Sequence, residues 1–129
     1  MSSRRNFIRN ASIASMGIVA VPGFAHNSFS ATDKLNVGLI GVGLRGTNHL
    51  QNLLLRKDVN VTAICDVDQE RIAIAKKHIA EAKGKAPKVF GSNDMDYKNL
   101  LALADVDAVV IATPWLWHTR MTVDAMEAG

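Results

Sequence analysis

The sequence predicts an α/β fold built on a doubly wound parallel sheet, and three observations carry that expectation. Short apolar runs rich in β-branched residues alternate with segments whose apolar residues fall three and four apart. Ala108–Ala112 (AVVIA) is continuously apolar, as expected of a strand buried on both faces. A glycine cluster directly follows the first run. Strands separated by helices pair in parallel through right-handed crossovers. A chain of 129 residues that is 48% hydrophobic and 21% charged excludes disordered, collagen-like and disulfide-scaffold classes, and its length suggests one domain.

Taken in order, Leu35–Ile40 (LNVGLI) is a short apolar strand that ends at Gly41. Helical spacing follows, with Leu50, Leu53 and Leu54 on one face and Arg56-Lys57 at the C-terminal end, where cations suit the helix dipole. Val59–Cys65 (VNVTAIC) is a second strand. Asp68 caps the next helix, whose apolar positions are Ile72, Ala75, Ile79 and Ala82, and Gly84 and Pro87 punctuate its end. Lys88–Phe90 is a third strand. Asp94 or Asp96 starts a third helix through Tyr97, Leu100, Leu101 and Ala104. After the fourth strand, Thr113–Trp117 reads as a loop, and a fourth helix begins near His118 with Met121, Ala125 and Ala128 on one side. The order is β-α-β-α-β-α-β-α. With no fifth strand before Gly129, the reading is an incomplete sheet, the N-terminal part of a longer protein.

Residues 1–30 read as a leader and 31–34 as a linker. Of 15 basic side chains, Arg4, Arg5 and Arg9 precede the first acid, Asp33, and the remainder balance the 12 acids. The formal charge of +3 therefore belongs to the leader and not to a nucleic-acid-binding face. Ala11–Ala25 is interrupted by Ser12, Ser15, Gly17, Pro22 and Gly23, and is too short and polar for a stable membrane span of about 20 apolar residues. Ser3-Arg4-Arg5-Asn6-Phe7-Ile8-Arg9 resembles the bacterial twin-arginine export signal, which implies a periplasmic or secreted protein that engages that machinery. A general secretory leader containing Arg-Arg is the alternative. Cys65, the one cysteine, can form no intrachain disulfide and no cysteine-rich zinc site.

Gly41-Val42-Gly43-Leu44-Arg45-Gly46 supplies GxGxxG between a strand and a helix, the context that gives the motif meaning and makes the fold Rossmann-type. Gly41 permits the tight turn, Gly43 lets backbone approach a pyrophosphate, and Gly46 lets helix and strand pack closely. The helix N-terminus offers N–H groups and a partial positive charge to phosphates. Asp66 ends the second strand 20 residues beyond Gly46, where a carboxylate accepts the adenosine ribose hydroxyls and repels a 2′-phosphate, so NAD is expected rather than NADP. A glycine turn without a ligand and an ordinary turn aspartate are the bland readings.

In a sheet of order 3-2-1-4 the first and fourth strands flank the ligand crevice. Thr113-Pro114-Trp115-Leu116-Trp117-His118, which holds both tryptophans of the chain, should then lie beside the glycine loop and form a ligand wall. The competing reading has Trp115 and Trp117 closing a core and His118 capping a helix. His49 could face the crevice or simply pack, and His78 belongs to a solvated Lys76-Lys77-His78 run.

GVGLRG, ICDVD and ATPWLWHTRMTVDAMEAG together resemble the N-terminal half of the Gfo/Idh/MocA oxidoreductase family over Leu35–Gly129. Within it, LRG-x-x-H (Leu44 to His49) and TPWxWH (Thr113 to His118) look most like glycoside hydrolase family 109, the NAD-dependent α-N-acetylgalactosaminidases. The resemblance implies that Leu44 and Arg45 contact NAD from the glycine loop, that Asp66 holds the ribose, and that Trp115, Leu116, Trp117 and His118 contact NAD from the fourth-strand loop. It also implies that sugar-binding and acid/base residues lie in a C-terminal α/β domain, so no catalytic residue is assigned here. The implied chemistry is redox-neutral: transient oxidation of the sugar at C3, elimination of the C1 leaving group, addition of water, and return of the hydride. Paired-carboxylate catalysis is then unnecessary.

Export points the same way. Free NAD is scarce outside the cytoplasm, so an exported NAD protein is best served by a cycle that regenerates its own cofactor. A sugar–sugar oxidoreductase meets the same need and is the alternative; a non-catalytic nucleotide-binding or sugar-sensing module is a further one.

Overall fold

The computed structural model describes residues 34–129; the leader and all but the last linker residue lie outside the described residues. Its elements are β1 (Leu35–Ile40), α1 (Leu44–Leu54), β2 (Val59–Cys65), α2 (Gln69–Glu81), β3 (Lys88–Phe90), α3 (Tyr97–Leu101), β4 (Ala108–Ile111) and α4 (Trp115–Ala128). All pairings are parallel, and the sheet runs β3-β2-β1-β4. That order changes direction between β1 and β4, which puts their C-terminal ends beside a crevice.

Alternation along the strands feeds two separate cores. Val37 and Leu39 of β1 join Val61 and Ile64 of β2 under Leu50 of α1 and Ile72, Ala75 and Ile79 of α2. Ile40, Ala63 and Cys65 face the opposite way, onto Tyr97 and Leu100 of α3 and Met121 of α4. Two helices thus cover each face, the doubly wound arrangement.

Strict two-residue alternation along VNVTAIC puts Val61 and Ala63 on one face; the structure divides them. Val37 pairs with Val61 and Gly38 with Ala63, so Thr62 is an extra residue, a bulge in β2. Ile64 therefore shares a face with Val61, and Cys65 with Ala63. Thr62 Oγ1 is buried without a hydrogen-bond partner.

Helix ends follow side-chain chemistry with some departures from pattern. Asp68 caps α2 as expected, accepting from Glu70 N at 2.9 Å and Arg71 N at 3.3 Å. At the other end of α2, Lys83 and not Gly84 takes the left-handed conformation (φ 56°). Lys83 N donates to Ala80 O and Gly84 N to Ile79 O, which closes the last turn in a Schellman motif. α3 stops at Leu101, short of Ala104, and takes no side-chain cap from Asp96. β4 ends at Ile111, one residue early, and is half-buried, not fully buried, throughout: it lies at the edge of the described sheet, with Ala108 and Val110 packed against one core and Val109 and Ile111 against the other. α4 begins at Trp115, not near His118: Pro114 is its N-cap with extended ψ, and Trp117 N donates to Pro114 O at 3.0 Å. The expected Thr113–Trp117 loop is thereby reduced to a short connection, and both tryptophans belong to the first turn of α4. Among the described residues no helix is long and apolar enough to cross a membrane.

Candidate functional site

A cavity of about 530 Å³ opens at the C-terminal ends of the strands. Gly41, Gly43 and Leu44 form one side, Asp66, Val67, Asp68 and Arg71 a second, Asn93 and Asp94 a third, and Thr113, Pro114, Trp115 and Trp117 a fourth.

The glycine turn is fixed by contacts that exclude side chains. Gly41 has φ +89°, and a Cβ there would lie 2.7 Å from Ala112 O. A Cβ on Gly46 would lie 2.0 Å from Gly41 O, so α1 starts in direct contact with the turn. Gly41 N donates to Cys65 O and Ala112 N to Ile40 O, both at 2.8 Å, which joins the ends of β2, β1 and β4. Gly43 differs: a Cβ would meet nothing within 4 Å. It lines the cavity and is the N-cap of α1, with no side-chain cap and no acid in the first turn. Donors left open at a helix start, beside space that only a glycine keeps free, suit a pyrophosphate.

Asp66 is held by backbone on both oxygens. Its Oδ2 accepts Val42 N at 2.8 Å and its Oδ1 accepts Asp68 N at 3.0 Å. A carboxylate has about four acceptor positions, so capacity for a vicinal diol remains. Cys65, one residue before it, also borders the cavity. Burial pushes its thiol up to about 12, with the negative charges of Asp96 and Asp66 adding to the effect, so it is a neutral apolar group here and not a nucleophile.

On the β4 side, Thr113 Oγ1 lies 3.3 Å from Met121 Sδ, which fixes the entry to α4. Trp117 is half-buried and turned to the cavity, whereas Trp115 is 95% exposed on its rim. Leu116 is 87% exposed and, like Arg45, Gly46 and His118, does not line the cavity. Helix geometry explains this: once α4 starts at Trp115, successive side chains are spread around an axis instead of facing one way. His49 is also exposed and off the wall. The structure therefore brings Gly41, Gly43, Leu44, Asp66, Thr113, Trp115 and Trp117 together. It adds Val67, Arg71 and Asn93, and with them Asp94, for which the sequence suggests only a helix start. The signal for Asn93 and Asp94 was the sheet order, since the end of β3 adjoins the end of β2.

A parallel sheet of order 3-2-1-4, a glycine turn opening α1 and an acid at the end of β2 define an NAD-binding Rossmann domain. Residues 35–129 match the family described as an oxidoreductase family with an NAD-binding Rossmann fold, and the chain belongs to this Gfo/Idh/MocA family. It is 34% identical to a glycosyl hydrolase family 109 protein of Shewanella baltica, over 98% of this chain and 31% of that protein. It is 42% identical over 95 residues to an alpha-N-acetylgalactosaminidase of Shewanella oneidensis, covering 74% of this chain and 21% of that protein. The chain thus spans less than a third of the length of these relatives. Among solved structures it resembles scyllo-inositol dehydrogenase from Lactobacillus casei with bound NAD(H) and scyllo-inositol. That match has a TM-score of 0.63 and 26% identity, over 75% of this chain and 26% of that chain.

Proposed function

We propose that the chain is the NAD-binding part of an exported glycosidase that hydrolyses α-N-acetylgalactosaminides by a redox-neutral cycle. The observation that carries this reading is the 42% identity to the Shewanella oneidensis alpha-N-acetylgalactosaminidase. The site suits the cofactor half of that task. The open side of Gly43 and the start of α1 would hold the pyrophosphate. Asp66 would accept the adenosine ribose hydroxyls with its remaining lone pairs. Thr113, Trp115 and Trp117, across the cavity from Asp66, would support the nicotinamide end and keep water from it. Leu44 lies between these two ends at the rim, whereas Arg45, Leu116 and His118 would reach NAD only if their exposed side chains fold inward. When bound, NAD supplies a reversible hydride acceptor for a sugar carbon. No described residue is assigned to proton transfer on the sugar.

Residues 1–30, through Arg4 and Arg5, would direct the protein through the twin-arginine route to the periplasm or outside. That route carries folded proteins, so a bound cofactor could travel with the chain.

The test is hydrolysis of a chromogenic α-N-acetylgalactosaminide by the full-length protein in deuterated water, without added cofactor. Chromophore release with deuterium at C2 of the product and no accumulation of reduced cofactor is the expected result. Release without exchange at C2 would indicate direct displacement. The likeness to scyllo-inositol dehydrogenase favours one second reading, a sugar oxidoreductase. Turnover that requires a second sugar as acceptor, with no hydrolysis, would establish it.

A further inference from the structure

We propose that Asp96 is a positioning residue for the adenosine half of the cofactor: its carboxylate holds the Gly91–Ser92 turn, and with it Asn93 and Asp94, against the end of β2 that carries Asp66. The role rests on the placement of the adenosine ribose at Asp66.

Among the described residues Asp96 is the buried charged side chain, 8% exposed. Its Oδ2 accepts from Gly91 N at 2.6 Å, Ser92 N at 2.8 Å and Ser92 Oγ at 3.0 Å. Its Oδ1 accepts from Asn99 Nδ2 at 2.7 Å. An aspartate at the start of a helix ordinarily spends its oxygens on that helix's first N–H groups. Asp96 gives α3 no such bond and spends three of its four on residues behind it in the chain. The donors, Ser92 N foremost, hold its carboxyl well below the usual range, so it is a fixed anion throughout the physiological pH range.

The turn it grips is pressed onto the ribose-binding strand. Gly91 has φ +151°, and a Cβ on it would lie 1.9 Å from Asp66 O. Asp66 N donates to Phe90 O at 3.2 Å, and Gln69 Nε2 to Gly91 O at 3.3 Å. From this turn Asn93 and Asp94 reach the cavity wall facing Val67 and Arg71. A buried anion with four donors gives the turn one geometry, because any other arrangement would leave a charge unpaired in the interior. Asp96 itself does not line the cavity, so it acts through the residues it holds.

A role confined to the adenosine end separates positioning from general support. The full chain and its Asp96→Asn and Ser92→Ala variants are titrated with NAD, with AMP, and with nicotinamide mononucleotide. Asp96→Asn is expected to weaken AMP and NAD by about tenfold and to leave nicotinamide mononucleotide within about twofold. Ser92→Ala, which removes one donor and no charge, should weaken AMP by about two- to threefold. Equal loss for both half-molecules, or no loss of AMP, would overturn the role. Should Asp96→Asn not fold, unchanged AMP binding by Ser92→Ala overturns it alone. Asp66→Ala is run alongside. If that variant loses AMP while Asp96→Asn does not, the positioning role alone is wrong. If Asp66→Ala binds AMP normally, the ribose placement fails and the role falls with it.

Discussion

The Asp66 carboxylate, at the end of β2, accepts the backbone N–H of Val42 at 2.8 Å, so the acid proposed to hold the ribose also fastens the glycine turn. One side chain would therefore serve both binding and local structure, and the two can be measured apart.

Asp66→Ala is expected to lower NAD retention through loss of a charge-assisted hydrogen bond worth about 1.5–3 kcal/mol. It should also destabilise the protein without cofactor by about 1–3 kcal/mol, because the buried Val42 loses the acceptor for its N–H. The NAD content of purified protein checks the first effect, and cofactor-free melting checks the second. An unchanged melting curve would show that water replaces the carboxylate at Val42.

Two glycines of the same motif should respond in opposite ways. Gly43→Ala costs less than about 1 kcal/mol of stability, the range for a glycine-to-alanine change at an N-cap, since its Cβ enters open space. It should nonetheless weaken NAD by about tenfold or more, since that space is where the phosphates would approach. Gly46→Ala places a Cβ 2.0 Å from Gly41 O and should yield little folded protein. Equal thermal stability of the two variants would contradict the geometry.

Cys65 should be silent to alkylation at pH 8 in the folded protein and reactive after unfolding. Its folded pKa, about 12, lies above the ordinary value of 9.0. The stability linked to it is therefore fully present below pH 9.0 and is lost as pH rises toward 12, where the unfolded chain releases the proton first. Denaturant melts between pH 8 and pH 11 check the sign. Cys65→Ala should flatten the alkaline slope.

Replacing Arg4 and Arg5 together by lysine is expected to retain the precursor in the cytoplasm and leave the globular part folded, since both precede the domain. Fractionation of cells expressing the double variant checks this. Normal export would remove the twin-arginine reading.

The order of elements and the parallel sheet were legible because each strand is a short apolar run and each helix keeps its own period. Asp68 and the glycine turn were legible because a cap and a close approach each demand a residue type. The start of α4 was not. Trp115, Leu116 and Trp117 are poor evidence for a helix start, and the first turn is set by Pro114 and by the Thr113 contact to Met121, eight residues on. The sequence positions of Asp94 and Asp96 both fit a helix start. Three of the four bonds to Asp96 instead come from Gly91 and Ser92, which precede it in a turn whose shape no periodicity encodes. Arg71 carries no signal of its own in the sequence, although one turn of α2 beyond Asp68 brings it to the cavity.

A central strand ordinarily has no length to give away, because a slip of one residue turns everything downstream to the opposite face. β2 is built differently at Thr62, which has no partner in the register. Removing that residue would restore plain alternation, keep Val61 and Ile64 with one pair of helices and Ala63 and Cys65 with the other, and discard an unbonded hydroxyl. Asp66 would still arrive opposite the glycine turn. The interval between glycine motif and acid, the ruler by which such sites are sought in other sequences, is thus elastic by one residue in this strand, while the position of the acid in space is not.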